Sequence, residues 1–131
     1  MRTARSMSTT LLILVIAFLV SAQQGGTKRI ELQRHDLSAP GREVVQVRVE
    51  FDPGYVAPRH THYGEEIIYV LEGTLEYYID AKPAVVVKPG DVLFVPAGTI
   101  HSVKNIGKDK GAELATYVVE KGKPLVVLVE K

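Results

Sequence analysis

From Ile30 onward the chain alternates apolar and polar residues with a period of two, and turn-forming residues break the pattern mostly every eight to twelve positions. Ile30 and Leu32 alternate with Glu31 and Gln33, and Val45, Val47, Val49 and Phe51 alternate with Gln46, Arg48 and Glu50. Leu75, Tyr77 and Ile79 alternate with Thr74, Glu76, Tyr78 and Asp80. Successive side chains of a strand point to opposite faces, so this pattern predicts strands with one buried face. The β-branched and aromatic content suits such surfaces. The runs Ala84–Val87, Val92–Val95 and Leu125–Val129 are continuously apolar. They are expected to be strands buried on both faces.

Ala39-Pro40-Gly41, Asp52-Pro53-Gly54, Ala81-Lys82-Pro83, Lys88-Pro89-Gly90-Asp91 and Pro96-Ala97-Gly98 punctuate these runs. Later breaks are Asn105 to Gly111 and Lys121 to Pro124. Six of the seven prolines fall within such breaks, where a missing N–H is least costly. No helical period persists for three turns after residue 23. The expected class is therefore all-β, a sandwich or barrel. At 131 residues one domain is expected, since a second independent core would be poorly supplied.

The first 22 residues read differently. Arg2 and Arg5 are the only charges before Lys28, and the apolar run Leu11 to Val20 leads to Ser21-Ala22. A basic start, a short apolar stretch and small terminal residues predict a secretory signal peptide over residues 1–22, cleaved after Ala22. The run falls short of the roughly 20 apolar residues a membrane span needs. Residues 23–36 are expected to form a tether and a possible edge strand, and residues 37–131 the barrel. An exported protein is predicted, periplasmic or secreted.

The whole chain has 16 Lys+Arg and 15 Asp+Glu. Without Arg2 and Arg5 the balance is 14 against 15, a net charge of −1. That balance offers no electrostatic basis for nucleic-acid binding. The absence of Cys excludes disulfides, thiolate metal sites and a Cys nucleophile.

Chemistry concentrates in four residues. In His60-Thr61-His62 a strand would place both imidazoles on one face, where they can chelate one ion. Glu66 shares their parity if the strand continues past Gly64. His101 lies 35 positions beyond Glu66, beside Pro96-Ala97-Gly98, and a barrel can return a distant strand to the first. His35 stands alone in a polar stretch and is expected to have no role. Glu65 and Arg59 are expected to be solvated. Ile68, Val70, Tyr77 and Phe94 are candidate pocket walls, and Tyr55 and Tyr63 candidate residues at the mouth.

Gly54 is followed after five residues by His60-x-His62, then after three by Glu66 and after six by Gly73. Gly90 is followed after five residues by Pro96-x-Gly98, then after two by His101 and after three by Asn105. These segments resemble both signature motifs of the cupin superfamily at every defining position. The resemblance spans residues 54 to 105 and implies a double-stranded β-helix, or jelly-roll, barrel. It also implies one divalent transition metal held by His60, His62, Glu66 and His101. Three imidazoles and a carboxylate suit iron, manganese, nickel, cobalt, copper or zinc. Asn105 is expected to serve the turn and not the metal.

Three functions are consistent with that resemblance. The first is a metal-dependent, dioxygenase-like oxidoreductase acting on a small organic molecule, with Glu66 as a catalytic group that detaches from the metal and acts as base. The second is a metal-dependent isomerase, epimerase or lyase. The third is a non-catalytic protein that binds a metal or a small ligand. Small cupins commonly pair, so a homodimer is expected, through exchange of an edge strand at Ile30–Leu37 or Leu125–Val129.

Overall fold

The computed structural model describes residues 26–130. The expected signal peptide lies outside the described residues. The fold consists of ten strands in two five-stranded antiparallel sheets, with no helix among the described residues. The strands are β1 (Thr27–Asp36), β2 (Arg42–Phe51), β3 (His60–Thr61), β4 (Gly64–Glu72) and β5 (Leu75–Ile79). They continue as β6 (Val85–Val87), β7 (Val92–Val95), β8 (His101–Asn105), β9 (Gly111–Glu120) and β10 (Val127–Leu128). One sheet has the order β1-β2-β9-β4-β7 and the other β10-β3-β8-β5-β6. The architecture is the double-stranded β-helix.

The alternation read from the sequence sets the inner faces. Val45, Val47, Val49 and Phe51 of β2 are buried, as are Leu75, Tyr77 and Ile79 of β5. They pack with Ile68 and Val70 of β4 and with Ala115, Tyr117 and Val119 of β9. Strand β9 pairs with β2 over all ten residues, from Arg42↔Glu120 to Phe51↔Gly111, and with β4 on its other side. It is the central strand of its sheet. Its inward row is Glu113, Ala115, Tyr117 and Val119, so one carboxyl lies among core residues.

Two expectations need correction. Strands β6, β7 and β10, which form from the three continuously apolar runs, are not buried on both faces. All three are edge strands, and Val85, Val86, Val92, Phe94 and Leu128 are exposed. Phe94 pairs with Ile67 and Val92 with Tyr69, all four pointing outward. Phe94 is therefore not a pocket wall. A continuous apolar run leaves parity undetermined, and pairing at an edge decides it. The polar stretch before Ile30 is also partly ordered as a ladder, since β1 begins at Thr27 and pairs with Phe51 of β2.

The turns that deliver the motif residues are tightly made. Gly98, between β7 and β8, has φ 69°, a conformation that costs a side chain-bearing residue energy. Asn105, at the end of β8, is buried. Its Nδ2 donates to the carbonyls of Phe51 and Asp109 at 3.0 and 2.9 Å, and its Oδ1 accepts from Gly107 N–H at 3.0 Å. The residue satisfies backbone groups of the β8–β9 connection, in keeping with a turn function.

Candidate metal centre

His60 and His101 are direct partners across β3 and β8, so their side chains emerge from one sheet on neighbouring strands. His62 lies just past the end of β3, in the short connection to β4. Glu66 does not continue the His60–His62 strand, as simple parity would have it. The chain turns at Tyr63 and enters β4 in the opposite sheet, and Glu66 faces the histidines from there. The reversal is tight because an added Cβ on Gly64 would lie 2.0 Å from the Val118 carbonyl oxygen. Only glycine lets β4 approach β9 that closely.

The ligating atoms of His60, His62 and His101 all lie within 4.8 Å of one another. Nε2 of His62 is 3.2 Å from Nε2 of His101. Glu66 Oε2 is 3.1 Å from the first and 2.9 Å from the second. His62, His101 and Glu66 are almost fully buried, while His60 is half-buried.

The outer nitrogens determine which proton state the rings adopt. Nδ1 of His60, His62 and His101 lies 2.7, 2.5 and 2.9 Å from the carbonyls of Pro58, Leu125 and Thr99. A carbonyl only accepts, so each Nδ1 carries the proton and donates it. A neutral imidazole so arranged has a bare lone pair at Nε2. The interior of the site is thus a cluster of lone pairs and one carboxylate, pointing at each other across about 3 Å. Such a cluster needs positive charge, either added protons or a cation. Three neutral imidazoles, each fixed by an outer hydrogen bond, are the donor set borderline divalent metals take. The residues present therefore fit a metal ion.

Burial and charge act in opposite directions on these groups. Burial drives His60 down to about 4, so this ring stays neutral and ready to ligate through most of the pH range. Burial also opposes charge on His101, but the hydrogen bond and charge of Glu66 outweigh it and hold that pKa above the ordinary value. Burial pushes Glu66 upward, yet the hydrogen bonds from His101 and His62 overcome it and hold the carboxyl below the usual carboxylate range. Glu66 is accordingly ionised, a good anionic ligand and a weak base while it faces both rings.

Next to this cluster lies a second polar group that alternation by itself does not single out. The Tyr117 ring packs on His62, with ring centres 4.8 Å apart. Arg29 of β1 donates from Nη2 to the Tyr117 hydroxyl at 2.7 Å. Tyr77 donates to Glu113, and both are buried. Burial first, then the charge of Glu66, pushes Glu113 up to about 8. The available signal was a glutamate in the inward parity of Ala115, Tyr117 and Val119. Of the other candidates, Ile68, Val70 and Tyr77 are buried core residues. Tyr55 stacks on Phe51, and exposed Tyr63 lies under the Lys123 ammonium. His35 is exposed on β1. Arg59 pairs with Asp80, and Glu65 with Arg42.

Comparison with known proteins agrees with the geometry. The family profile described as "Cupin domain" matches residues 47–120. An oxalate-binding protein of Thermotoga maritima is 32% identical over 104 residues, covering 76% of this chain and 84% of that protein. Germin-like protein 1 of Brassica napus is 35% identical over 82 residues, 59% of this chain. The chain spans only 40% of that germin-like protein's length. Among solved structures, an oxalate oxidase in complex with the substrate analogue glycolate is 26% identical with a TM-score of 0.65, covering 82% of this chain and 57% of that one. A double-stranded beta-helix protein of Klebsiella pneumoniae, 21% identical with a TM-score of 0.66, covers 83% of this chain and 89% of that one and shares the fold. With the profile matching more than half its length and a histidine cluster able to hold a metal inside a double-stranded β-helix, this chain belongs to the cupin domain family.

Proposed function

We propose that this cupin is an exported, metal-dependent oxidoreductase that acts on a small organic acid. The observation that carries the reading is the convergence of the His60, His62 and His101 ligating nitrogens, with the buried Glu66 carboxylate about 3 Å from those of His62 and His101. Those four residues would hold the ion. A bound iron, manganese or copper would supply redox change and open coordination positions, whereas zinc would supply only polarisation. The chain's own contribution is to orient the imidazoles through their Nδ1–H donors and to keep His60 neutral. Glu66 supplies the anionic ligand. It would act as a base only after turning away from both imidazoles, because their hydrogen bonds keep its proton affinity low.

The substrate class follows from chemistry shared by two relatives, one an oxalate-binding protein and the other an oxalate oxidase holding glycolate. A cation held at the histidine cluster would attract a small anionic acid. Metal content of the chain from residue 23 onward, by elemental mass spectrometry, is the first test. One equivalent of a redox metal, with dioxygen uptake on adding oxalate or glycolate, is the expected result. Tight capture of either acid with no product would replace this reading by a second one, a carboxylate-binding protein. That alternative draws on the oxalate-binding relative, of which the chain covers 84%. Turnover without dioxygen would favour isomerase or lyase chemistry.

The same reading takes the protein as a homodimer. Edge-strand exchange is a weaker route than the sequence implies, because β1 already pairs with β2 and β10 is two residues long. The outward apolar face of Ile67, Tyr69, Val92 and Phe94 is the better-suited surface. Export rests on the pattern of residues 1–22.

A further inference from the structure

All three candidate ligand histidines donate outward from Nδ1, but they do not lean on the same part of the chain. His60 and His101 donate to the carbonyls of Pro58 and Thr99, each two positions earlier in the same segment. His62 donates to the Leu125 carbonyl, 63 positions away. The orientation of that one ring depends on a separate piece of chain.

That piece runs antiparallel to the segment that carries His60 and His62. The Lys123 ammonium lies 5.4 Å from the centre of the Tyr63 ring. Val127 pairs with Thr61 and Leu128 with His60, and Val129 N–H donates to the Arg59 carbonyl at 3.0 Å. Residues 59–63 are thus followed along their whole length by residues 123–129. On its other side β3 meets β8 at the single pair His60↔His101, so β10 supplies most of the pairing that holds β3 in its sheet.

The same piece is lightly anchored. Residues 121–124 are exposed, β10 is an edge strand of two residues, and Leu125 is only partly buried against the core. A sheet-edge segment with little buried apolar surface opens locally at far lower cost than the whole fold. His62 is almost fully buried. When the segment lifts, the Nδ1–H of His62 loses its acceptor, and the ring is no longer fixed in the tautomer and orientation that present Nε2 to the interior.

We propose that residues 121–130 form a strap whose docking is coupled to metal occupancy of the His60–His62–His101 cluster, the docked strap holding His62 for the ion and the bound ion holding the strap in place. This rests on the reading of the site as a metal centre. The outer hydrogen bond of a metal-ligating imidazole is worth roughly 10- to 100-fold in metal affinity. Coupling between two equilibria is reciprocal, so the ion opposes release of the strap by the same factor. Leu125 is a positioning residue that acts through its backbone carbonyl. Release of the strap weakens the centre without any change to a ligand.

The experiment is hydrogen exchange read by mass spectrometry on the chain from residue 23 onward, with and without cobalt(II), whose visible absorption also reports its ligands. Bound cobalt is expected to slow exchange in residues 125–130 by roughly 10- to 100-fold. Strand β6, the opposite edge of the same sheet, holds no candidate ligand and should change much less. Val129→Pro, which removes the N–H donated to Arg59, should weaken cobalt by a similar factor and alter its visible spectrum. Leu125→Ser removes the anchor but keeps the carbonyl, so it should cause a smaller loss. The melting temperature of each metal-free variant separates release of the strap from loss of the fold, and the wild-type exchange measurement needs no variant. A strap that exchanges equally fast with and without bound cobalt overturns the coupling and leaves the metal centre standing. Equal protection of β6 and the strap, or equal cobalt affinity in wild type and Val129→Pro, does the same. A wild type that takes up no cobalt overturns both readings.

Discussion

The Glu66 carboxylate lies 2.9 Å from Nε2 of His101, although 35 positions separate the two residues and they belong to opposite sheets. Both are buried, His101 donates from Nδ1 to the Thr99 carbonyl, and the close approach of its Nε2 to the carboxylate needs positive charge, either a proton on that nitrogen, which Glu66 favours, or a metal ion in its place. A bound metal ion would supply that charge and displace the proton. Metal content per chain is therefore expected to fall from one equivalent to below one tenth in His101→Ala and in His62→Ala. Glu66→Gln keeps the shape and removes the charge, so it should weaken metal binding while leaving the histidine cluster assembled. Because a ligand that binds only the folded state stabilises it by about 2.7 kcal/mol at a hundredfold excess over Kd, metal should raise Tm by on the order of 10 °C. Scanning calorimetry with and without a chelator reads this directly, and an unchanged Tm would argue against the centre.

Gly64 joins the two halves of that centre. A Cβ there would meet the Val118 carbonyl oxygen at 2.0 Å and Val119 Cα at 2.7 Å, both backbone atoms that cannot swing aside. Gly64→Ala should cost roughly 2–4 kcal/mol of stability by forcing β4 from β9. It should also lower metal occupancy, because Glu66 moves relative to His62. Urea unfolding and metal analysis on the same variant test both parts. Gly41→Ala, where a Cβ would meet nothing within 4 Å, is the comparison for steric cost, although its φ of 72° carries its own strain.

Glu113 makes stability depend on pH. Its pKa rises from an ordinary 4.5 to about 8 in the folded protein, with burial the leading cause. Between those values the unfolded chain has lost this proton and the folded one retains it. The contribution of this group is thus complete below pH 4.5 and is lost as pH rises through 8. The slope is at most about 1.4 kcal/mol per pH unit. Glu113→Gln, neutral throughout and still able to accept from Tyr77, should remove the slope. The variant should gain on wild type steadily from pH 5 to 8 in thermal denaturation of the metal-free protein. Parallel pH profiles would show that Glu113 does not titrate in this range.

The outward face of β4 and β7 carries the last prediction. Ile67, Tyr69, Val92 and Phe94 are 45%, 46%, 65% and 54% exposed on adjoining strands. A contiguous apolar face of this kind marks an interaction surface, and the proposed homodimer would cover it. Sedimentation should give twice the chain mass at micromolar concentration, and Phe94→Glu should halve it without changing metal content. A wild-type mass of one chain would end the homodimer reading.

Much of this was legible before any coordinates. The alternation at Val45–Phe51 and Leu75–Ile79 names the buried rows, because a pleated strand has a period of two. The spacing of His60, His62, Glu66 and His101 names the cluster. Other features were not legible for identifiable reasons. Val92–Val95 is apolar at every position, so nothing local reveals which side chains face out. Glu66 has the parity of His60 and His62 but reaches them from the opposite sheet, because the chain turns at Tyr63 and enters β4 there. Arg29 and Glu113 look like ordinary alternating polar residues until their strands are paired.

What the sequence by itself determined is the strands with clear alternation, the turns between them and the metal-donor residue types in the two motifs. Each of these follows from local chemistry: side-chain parity, φ preferences and donor type. What only the tertiary structure decided is which faces look inward at the sheet edges, which sheet delivers Glu66, and which polar side chains meet. Those depend on pairings between residues far apart in the chain, such as Arg29 with Tyr117 and Tyr77 with Glu113, each closed by a hydrogen bond. No local pattern encodes such a pairing, because its energy exists only once two sheets have closed around a common interior.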